Sequence, residues 1–297
     1  MKASRTEYKP SGAIDELLGA SGGEFSPKQR ILVDFLHRNY QKVAFMNINE
    51  LARETKVSEA TIVRLSTSLK FDGYPGLQKA VQRIVAQELT TTERMRLSLE
   101  ANVADHPVEQ MLKLDVSNIA RLHRHLSPSQ VGKLRDRLEG AKNVVVVGVM
   151  ASAPLALYFG YALNRVLRRV TTHTEDNLAA KRAICELDSK DLLIAFGFPR
   201  YPAAVVRFLK SGGERKAYRV AITDTSASPL VRLAEHCLFL PFEMLGFVDS
   251  LAAPMSFMAG VVADMARHRP TETARRLKDF ETMAAEFQLF HREDAAR

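Results

Sequence analysis

Five short runs of β-branched and aliphatic residues, each closed by turn residues, constrain the fold of this 297-residue chain more than any other feature. They are Asn143-Val-Val-Val-Val-Gly148, Val170–His173, Leu192–Phe196, Arg219–Thr223 and Cys237–Pro241. An apolar run without alternation is buried on both faces, which marks a strand of a parallel sheet. Parallel neighbours need crossovers, and helical patterns lie between the runs, over Pro154–Leu167, Asn177–Glu186, Ala203–Ser211 and Ser228–Ala234. This alternation predicts a doubly wound, five-stranded parallel α/β sheet. An apolar helix over Asp249–His268 and an amphipathic one over Glu272–Phe290 follow, the second suited to packing or self-association.

Ligands of an open parallel sheet sit outside the carboxyl ends of its strands. The segments to watch are therefore Gly148–Ser152, His173–Asn177, Gly197–Pro202 and Thr223–Ser228. Ser152 stands just before the helix near Pro154, where a helix N-terminus attracts phosphate. Thr223, Ser226 and Ser228 bring hydroxyls to a second strand end. Such hydroxyls are also ordinary helix caps, and it is their convergence on one edge that favours a site.

The first part of the chain has no strand pattern. Ser26-Pro27 offers an N-cap followed by proline at the first helical position, and Ile31, Leu32, Phe35 and Leu36 give the next helix a buried face. Over Phe45–Lys70 two short amphipathic helices are joined by a tight turn. Ile48, Leu51 and Ala52 recur at helical spacing, Val57 interrupts, and Ile62, Leu65 and Leu69 resume it. Ser58 stands where the second helix begins and can cap it. Thr61, Arg64 and Ser68 then fall opposite the apolar stripe, as the polar face of a recognition helix would. Lys56 and Lys70 flank this helix as candidate phosphate contacts, with Ser58. The turn Phe71-Asp-Gly-Tyr-Pro-Gly76 and a helix over Leu77–Leu89 complete an all-α domain.

Charge agrees with a nucleic-acid partner. The net charge is +8, and Phe25–Thr90 holds ten Lys/Arg against six Asp/Glu. Two cysteines, Cys185 and Cys237, are too few for a disulfide framework and stand in apolar surroundings as expected core residues. His123 and His125, two apart on a helical pattern, point to different faces and cannot share a metal. No apolar run reaches about 18 residues and the N-terminus lacks an apolar leader, so a soluble, cytoplasmic protein without membrane contact is expected. The expected layout is a loose Gly/Ser-rich arm over 1–24, a helix-turn-helix domain over 25–90, and a helical linker over 91–115. A helical stripe of Leu112, Val116, Ile119 and Leu122, at spacings of three and four, leads from the linker into a sheet domain over 116–268, and a C-terminal helix over 269–297 completes the layout.

The chain resembles the RpiR-type family of bacterial transcriptional regulators. The resemblance rests on Phe45-Met-x-Ile-x-Glu-Leu-Ala, Val57-Ser-Glu-Ala-Thr-Ile-Val-Arg64 and Phe71-Asp-Gly-Tyr in the first part. Ala221-Ile-Thr-Asp-x-x-x-Ser-Pro-Leu230 and Phe247-Val-Asp-Ser-Leu-x-Ala-Pro254 carry it in the second. It implies an N-terminal helix-turn-helix domain, a C-terminal sugar-isomerase-like (SIS) domain that binds phosphosugars, a double-stranded DNA operator, and a homodimer or tetramer. It also implies a role as repressor of a carbohydrate or related catabolic operon, with no cofactor, metal or catalytic residue.

Three departures from the family pattern stand out. Lys56 replaces the usual glycine of the turn. The first strand ends Gly148-Val-Met150-Ala-Ser152, keeping the serine and losing a second glycine, so that Met150 should block close backbone approach to a phosphate. The third strand ends Gly197-Phe-Pro-Arg-Tyr-Pro202, where the family carries three phosphate-binding hydroxyls, and proline also removes N–H donors. Two readings stay open here: Arg200 replaces the hydroxyls as a bidentate anion ligand, or Met150, Phe198 and Tyr201 form a more apolar cavity. The candidate ligand set is Gly148, Ser152, Arg200, Thr223, Ser226 and Ser228, for a small anionic metabolite, a phosphosugar or another acid. The alternative function is a sugar-phosphate isomerase, whose base would be His173, Glu175 or Glu243.

Overall fold

The computed structural model describes residues 12–19, 25–88, 90–100, 106–245 and 247–291. Two compact units divide the chain, Met1–Asp105 and His106–Arg297.

The first unit is all helical among its described residues: α1 (Gly12–Gly19), α2 (Pro27–Val43), α3 (Ile48–Thr55), α4 (Glu59–Ser68), α5 (Gly73–Glu88) and α6 (Thr91–Glu100). Capping boxes start α2 and α3. Ser26 Oγ accepts from the Gln29 N–H while the Gln29 side chain accepts from the Ser26 N–H, and Asn47 and Glu50 repeat the exchange. Leu36, Leu51, Ile62, Leu65 and Leu77 form the core of this unit. Of the arm expected over 1–24, residues 12–19 form α1 instead, with Ile14 and Leu18 buried in the same core, and the rest of it lies outside the described residues. Two apolar residues at i and i+4 are enough to dock one helical turn onto an existing core.

The second unit opens with α7 (Pro107–His125) and α8 (Pro128–Gly140). Five strands follow: β1 (Val144–Val147), β2 (Val170–His173), β3 (Leu192–Phe196), β4 (Tyr218–Thr223) and β5 (His236–Phe239), all parallel in the order β2-β1-β3-β4-β5. Crossovers α9 (Ala153–Asn164), α10 (Leu178–Cys185) and α11 (Ala203–Glu214) wind the sheet, and a short antiparallel pair, β6 (Met244–Leu245) and β7 (Val248–Asp249), precedes α12 (Ala252–His268) and α13 (Pro270–Glu286). Val144 and Val146 face Phe159, Leu163, Phe257 and Met258 on one side, and Val145 and Val147 face Ile184, Phe208 and Leu209 on the other. Burial of both faces is why the runs are continuously apolar.

Three expectations are corrected here, and one helix face is exposed. Ser228–Ala234 holds only a 3₁₀ turn over Val231–Leu233, because the Glu235 N–H already bonds to the Arg219 carbonyl and the chain must return to the sheet. The helix expected from Asp249 starts at Ala252, since Val248 and Asp249 pair with β6. Cys185, the last residue of α10, is exposed rather than buried. On α7 only Leu122 of the apolar stripe is buried, while Leu112, Val116 and Ile119 face solvent.

Candidate nucleic-acid interface and ligand edge

The turn between α3 and α4 closes on Lys56, which adopts the left-handed conformation at φ 54° and ψ 33° and sends its N–H to the Ala52 carbonyl. Glycine prefers this position because Cβ crowds the backbone there. Val57 is buried behind the turn, which pins the crossing of the two helices.

Ser58 has the extended backbone of an N-cap, yet its hydroxyl makes no cap bond and instead lies 3.0 Å from Thr61 Oγ1. Thr61 Oγ1 accepts from Arg64 Nη2 at 2.9 Å. Thr61 is only 4% exposed, so it does not belong to the outward face expected of it. The outward face runs instead through Ala60, Val63, Arg64 and Thr67, with Ser58, Glu59, Ser68 and Lys70 around it. These first four positions have i, i+3, i+4, i+7 spacing, rotated by about one residue from the expected face. Thr61 thus becomes a support that holds Arg64, while Arg64, Ser58, Ser68, Lys56 and Lys70 stay accessible. Sequence reasoning missed Val63, exposed at 41% beside a basic residue. An apolar side chain at that place suits a thymine methyl in a major groove.

Unit 2 places its ligand candidates on one edge, beyond the carboxyl ends of neighbouring strands β1, β3 and β4. After β1, Gly148 is locked by close contact: a Cβ added there would stand 2.6 Å from the Ser152 carbonyl oxygen. Met150 takes φ 55° and is exposed, and Ser152 is buried at the threshold of α9 without capping it. After β3, Phe198 does not line an apolar cavity with Met150. It is buried and stacked on Phe242, ring centroids 4.1 Å apart. Arg200 is exposed at the same loop, and the Tyr201 hydroxyl donates to Asp224 Oδ1 at 2.8 Å.

After β4, the buried Thr223 hydroxyl donates to Ser228 Oγ at 2.9 Å, and Ser228 Oγ also accepts from the Leu230 N–H. Thr223 and Ser228 therefore hold the loop together, while Ser226 is exposed. At the end of β2, burial pushes the His173 imidazole below its ordinary range, and its buried Nε2 has no hydrogen-bond partner among the described residues. Glu175 accepts from Asn177 Nδ2 at 3.1 Å, and Glu243 is ion-paired with Arg121.

Known proteins share both units. The helix-turn-helix domain of the rpiR family matches residues 13–88, and the SIS domain matches residues 137–262. An uncharacterized HTH-type transcriptional regulator of Clostridium perfringens is 20% identical over 209 residues, 70% of this chain and 74% of that protein. The HTH-type regulator YfhH of Escherichia coli K12, also uncharacterized, is 24% identical over 70% of this chain and 74% of its own length. The sugar isomerase domain of an RpiR transcription factor from Sphaerobacter thermophilus superimposes with TM-score 0.58 at 25% identity, covering 60% of this chain and 99% of that structure. The Vibrio vulnificus NanR protein, solved in complex with ManNAc-6P, shares the fold over 91% of this chain and 98% of its own, with TM-score 0.58 and 20% identity. The two domains in this order make the chain a member of the RpiR family of helix-turn-helix transcriptional regulators with a SIS domain.

Proposed function

We propose that this regulator represses a carbohydrate or related catabolic operon in the cytoplasm, binding its operator as a homo-oligomer and releasing it when a small anion occupies the edge of the sheet. The observation that carries the reading is the outward face of α4, where Arg64 is held by Thr61 beside the exposed Val63, Thr67 and Ser68. A fixed guanidinium and small apolar and hydroxyl neighbours suit base edges in a major groove. A copy of α4 from each of two subunits would meet half-sites about one helical turn apart, or multiples of that.

The effector is taken to be an anion because Arg200 and the N-terminal end of α9 at Ser152 stand at the strand ends. The complex of NanR with a sugar phosphate supports the same class. Phe198, Tyr201 and the Thr223–Ser228 pair make internal contacts, which argues against recognition through clustered hydroxyls, and Arg200 is the exposed cation of the same edge. Gly148, Ser152, Arg200 and Ser226 are the residues proposed to meet the effector. An isomerase would need an accessible, unengaged base here; Glu175 and Glu243 both have partners, and the His173 Nε2, unpartnered among the described residues, is buried.

Operator fragments selected from random duplex DNA test the first half. Arg64→Ala should weaken specific binding by about 1–3 kcal/mol in a fluorescence titration; unchanged affinity removes Arg64 from the interface. A thermal-shift series of sugar phosphates and small carboxylates tests the second half, since a ligand of the folded state raises the melting temperature by mass action. Arg200→Ala should abolish that shift. Turnover of an aldose or ketose phosphate would overturn the non-enzymatic reading.

A further inference from the structure

Much of the hydrogen-bonding capacity at the carboxyl edge of the sheet is used within the protein. After β1 the Ser152 N–H bonds to the Val149 carbonyl at 3.2 Å, the Ala153 N–H bonds to the Met150 carbonyl, and Pro154 has no N–H. The first turn of α9 therefore keeps its dipole but has committed donors that would grip a phosphate. After β3, Pro199 and Pro202 bring no N–H, and the Tyr201 hydroxyl donates to Asp224. After β4, the Ser228 N–H bonds to the Thr225 carbonyl and the Thr223 hydroxyl to Ser228 Oγ. A sugar laid here would leave hydroxyls short of partners, and each unpaired polar group costs affinity.

The same edge holds apolar surface in the open. Leu178 and Met150, 80% and 76% exposed, are the two most exposed large apolar side chains among the described residues. Leu178 begins α10 behind β2, and Met150 begins the 3₁₀ turn behind β1. Strands β2, β1 and β3 are consecutive neighbours, with Val147 beside both His173 and Ala195. The loops of Leu178, Met150 and Arg200 therefore leave strands that lie within about 10 Å of one another. Met150 holds φ 55°, a conformation that costs any residue with a Cβ, and strain of this kind gathers at ligand-binding loops. Its side chain is unbranched and polarizable, and adapts to apolar partners of varied shape.

We propose that the effector is a monocarboxylate with an apolar body. Arg200 binds the carboxylate, and the hydrocarbon lies against Met150 and Leu178. One guanidinium matches one carboxylate bidentately, whereas a phosphate dianion draws on the backbone donors of a helix N-terminus as well. Covering two side chains that now face water gives the hydrocarbon its share of the affinity, in proportion to the apolar area removed from solvent. The inference rests on the anionic effector of the proposed function and narrows its class.

Calorimetric titration of the full chain tests it. The probes are the carboxylates octanoate and 4-phenylbutyrate, the uncharged 4-phenylbutyramide, and the phosphosugars glucose 6-phosphate and ManNAc-6P. Both carboxylates should bind, and the amide and the phosphosugars should bind at least about tenfold more weakly. Leu178→Ser and Met150→Gly should each weaken the carboxylates at least about fivefold with unchanged circular dichroism. Arg200→Ala should abolish their binding. Phosphosugars that bind more tightly than the carboxylates, an amide that binds as well as its acid, or Leu178→Ser and Met150→Gly proteins that bind like the wild type would each overturn the inference. The first of these outcomes keeps the anionic effector and removes only its narrowing. Carboxylates that do not bind also overturn it; the anionic effector falls with it only when the phosphosugars and small carboxylates of the thermal-shift series fail too.

Discussion

At Lys56 a strained backbone and a useful charge sit on one residue. The left-handed conformation costs an ordinary L-residue about 1–2 kcal/mol, a cost glycine avoids. Lys56→Gly should therefore stabilise the protein by about 0.5–1 kcal/mol in urea unfolding, part of the relief being lost to the flexible unfolded glycine. The same change should lower the salt dependence of operator binding by about one phosphate contact. A destabilised variant would mean that the lysine side chain holds the turn. Titration gives a second residue-scale effect. Burial holds His173 and His236 below the ordinary imidazole range, and Lys133 and Arg137 push His236 further in the same direction. Both should be neutral in folded and unfolded chains well above about pH 6.5. As pH falls below that value the unfolded chain takes up more protons than the folded one, so stability is lost on acidification. Urea midpoints should drop between about pH 7.5 and pH 5.5, and His236→Phe should flatten the drop; an equally steep drop in the variant would clear His236 of the effect.

Helix α9 is seated by the absence of a side chain. A Cβ on Gly160 would stand 1.9 Å from Thr172 Oγ1 on β2, so helix and strand meet at the distance glycine permits. Gly160→Ala should destabilise the protein by about 1–3 kcal/mol, as overpacking does. Adding Thr172→Ala should recover most of the loss in the same thermal melts, and no recovery would place the strain elsewhere. At this scale the sequence was most legible. Both-face burial writes a strand as a pure apolar run, and each of the five runs became a strand of the parallel sheet. The misses have physical causes. Ile14 and Leu18 were too few to stand out among glycines and serines, yet suffice to dock α1. The spacing of Leu112, Val116 and Ile119 marked an apolar face correctly but could not say whether anything covers it. Thr61 misled because a helix face read from polar residues alone turned by one position once Val63 was left exposed. The edge loops were located by topology, but the stacking of Phe198 on Phe242 joins segments far apart in sequence, and no local pattern announces it.

Across the whole molecule, one rigid element has both of its ends in use. Helix α9 leaves the sheet edge at Ser152 and ends at Asn164 beside Arg165, a 12-residue rod about 18 Å long. Its first turn borders the proposed effector edge, and its last turn packs beside α13, where Arg276 donates to the Asn164 carbonyl. A ligand that tilts such a strut would shift both ends together, and in the proposed homo-oligomer effector and partner subunit would be heterotropic ligands of one another. Linkage then works in both directions: whatever factor the effector applies to dimer affinity, dimerisation must apply to effector affinity. Effector binding measured at increasing protein concentration should therefore change in apparent dissociation constant across the monomer–dimer transition. An affinity that stays constant through that transition would show the strut to be inert.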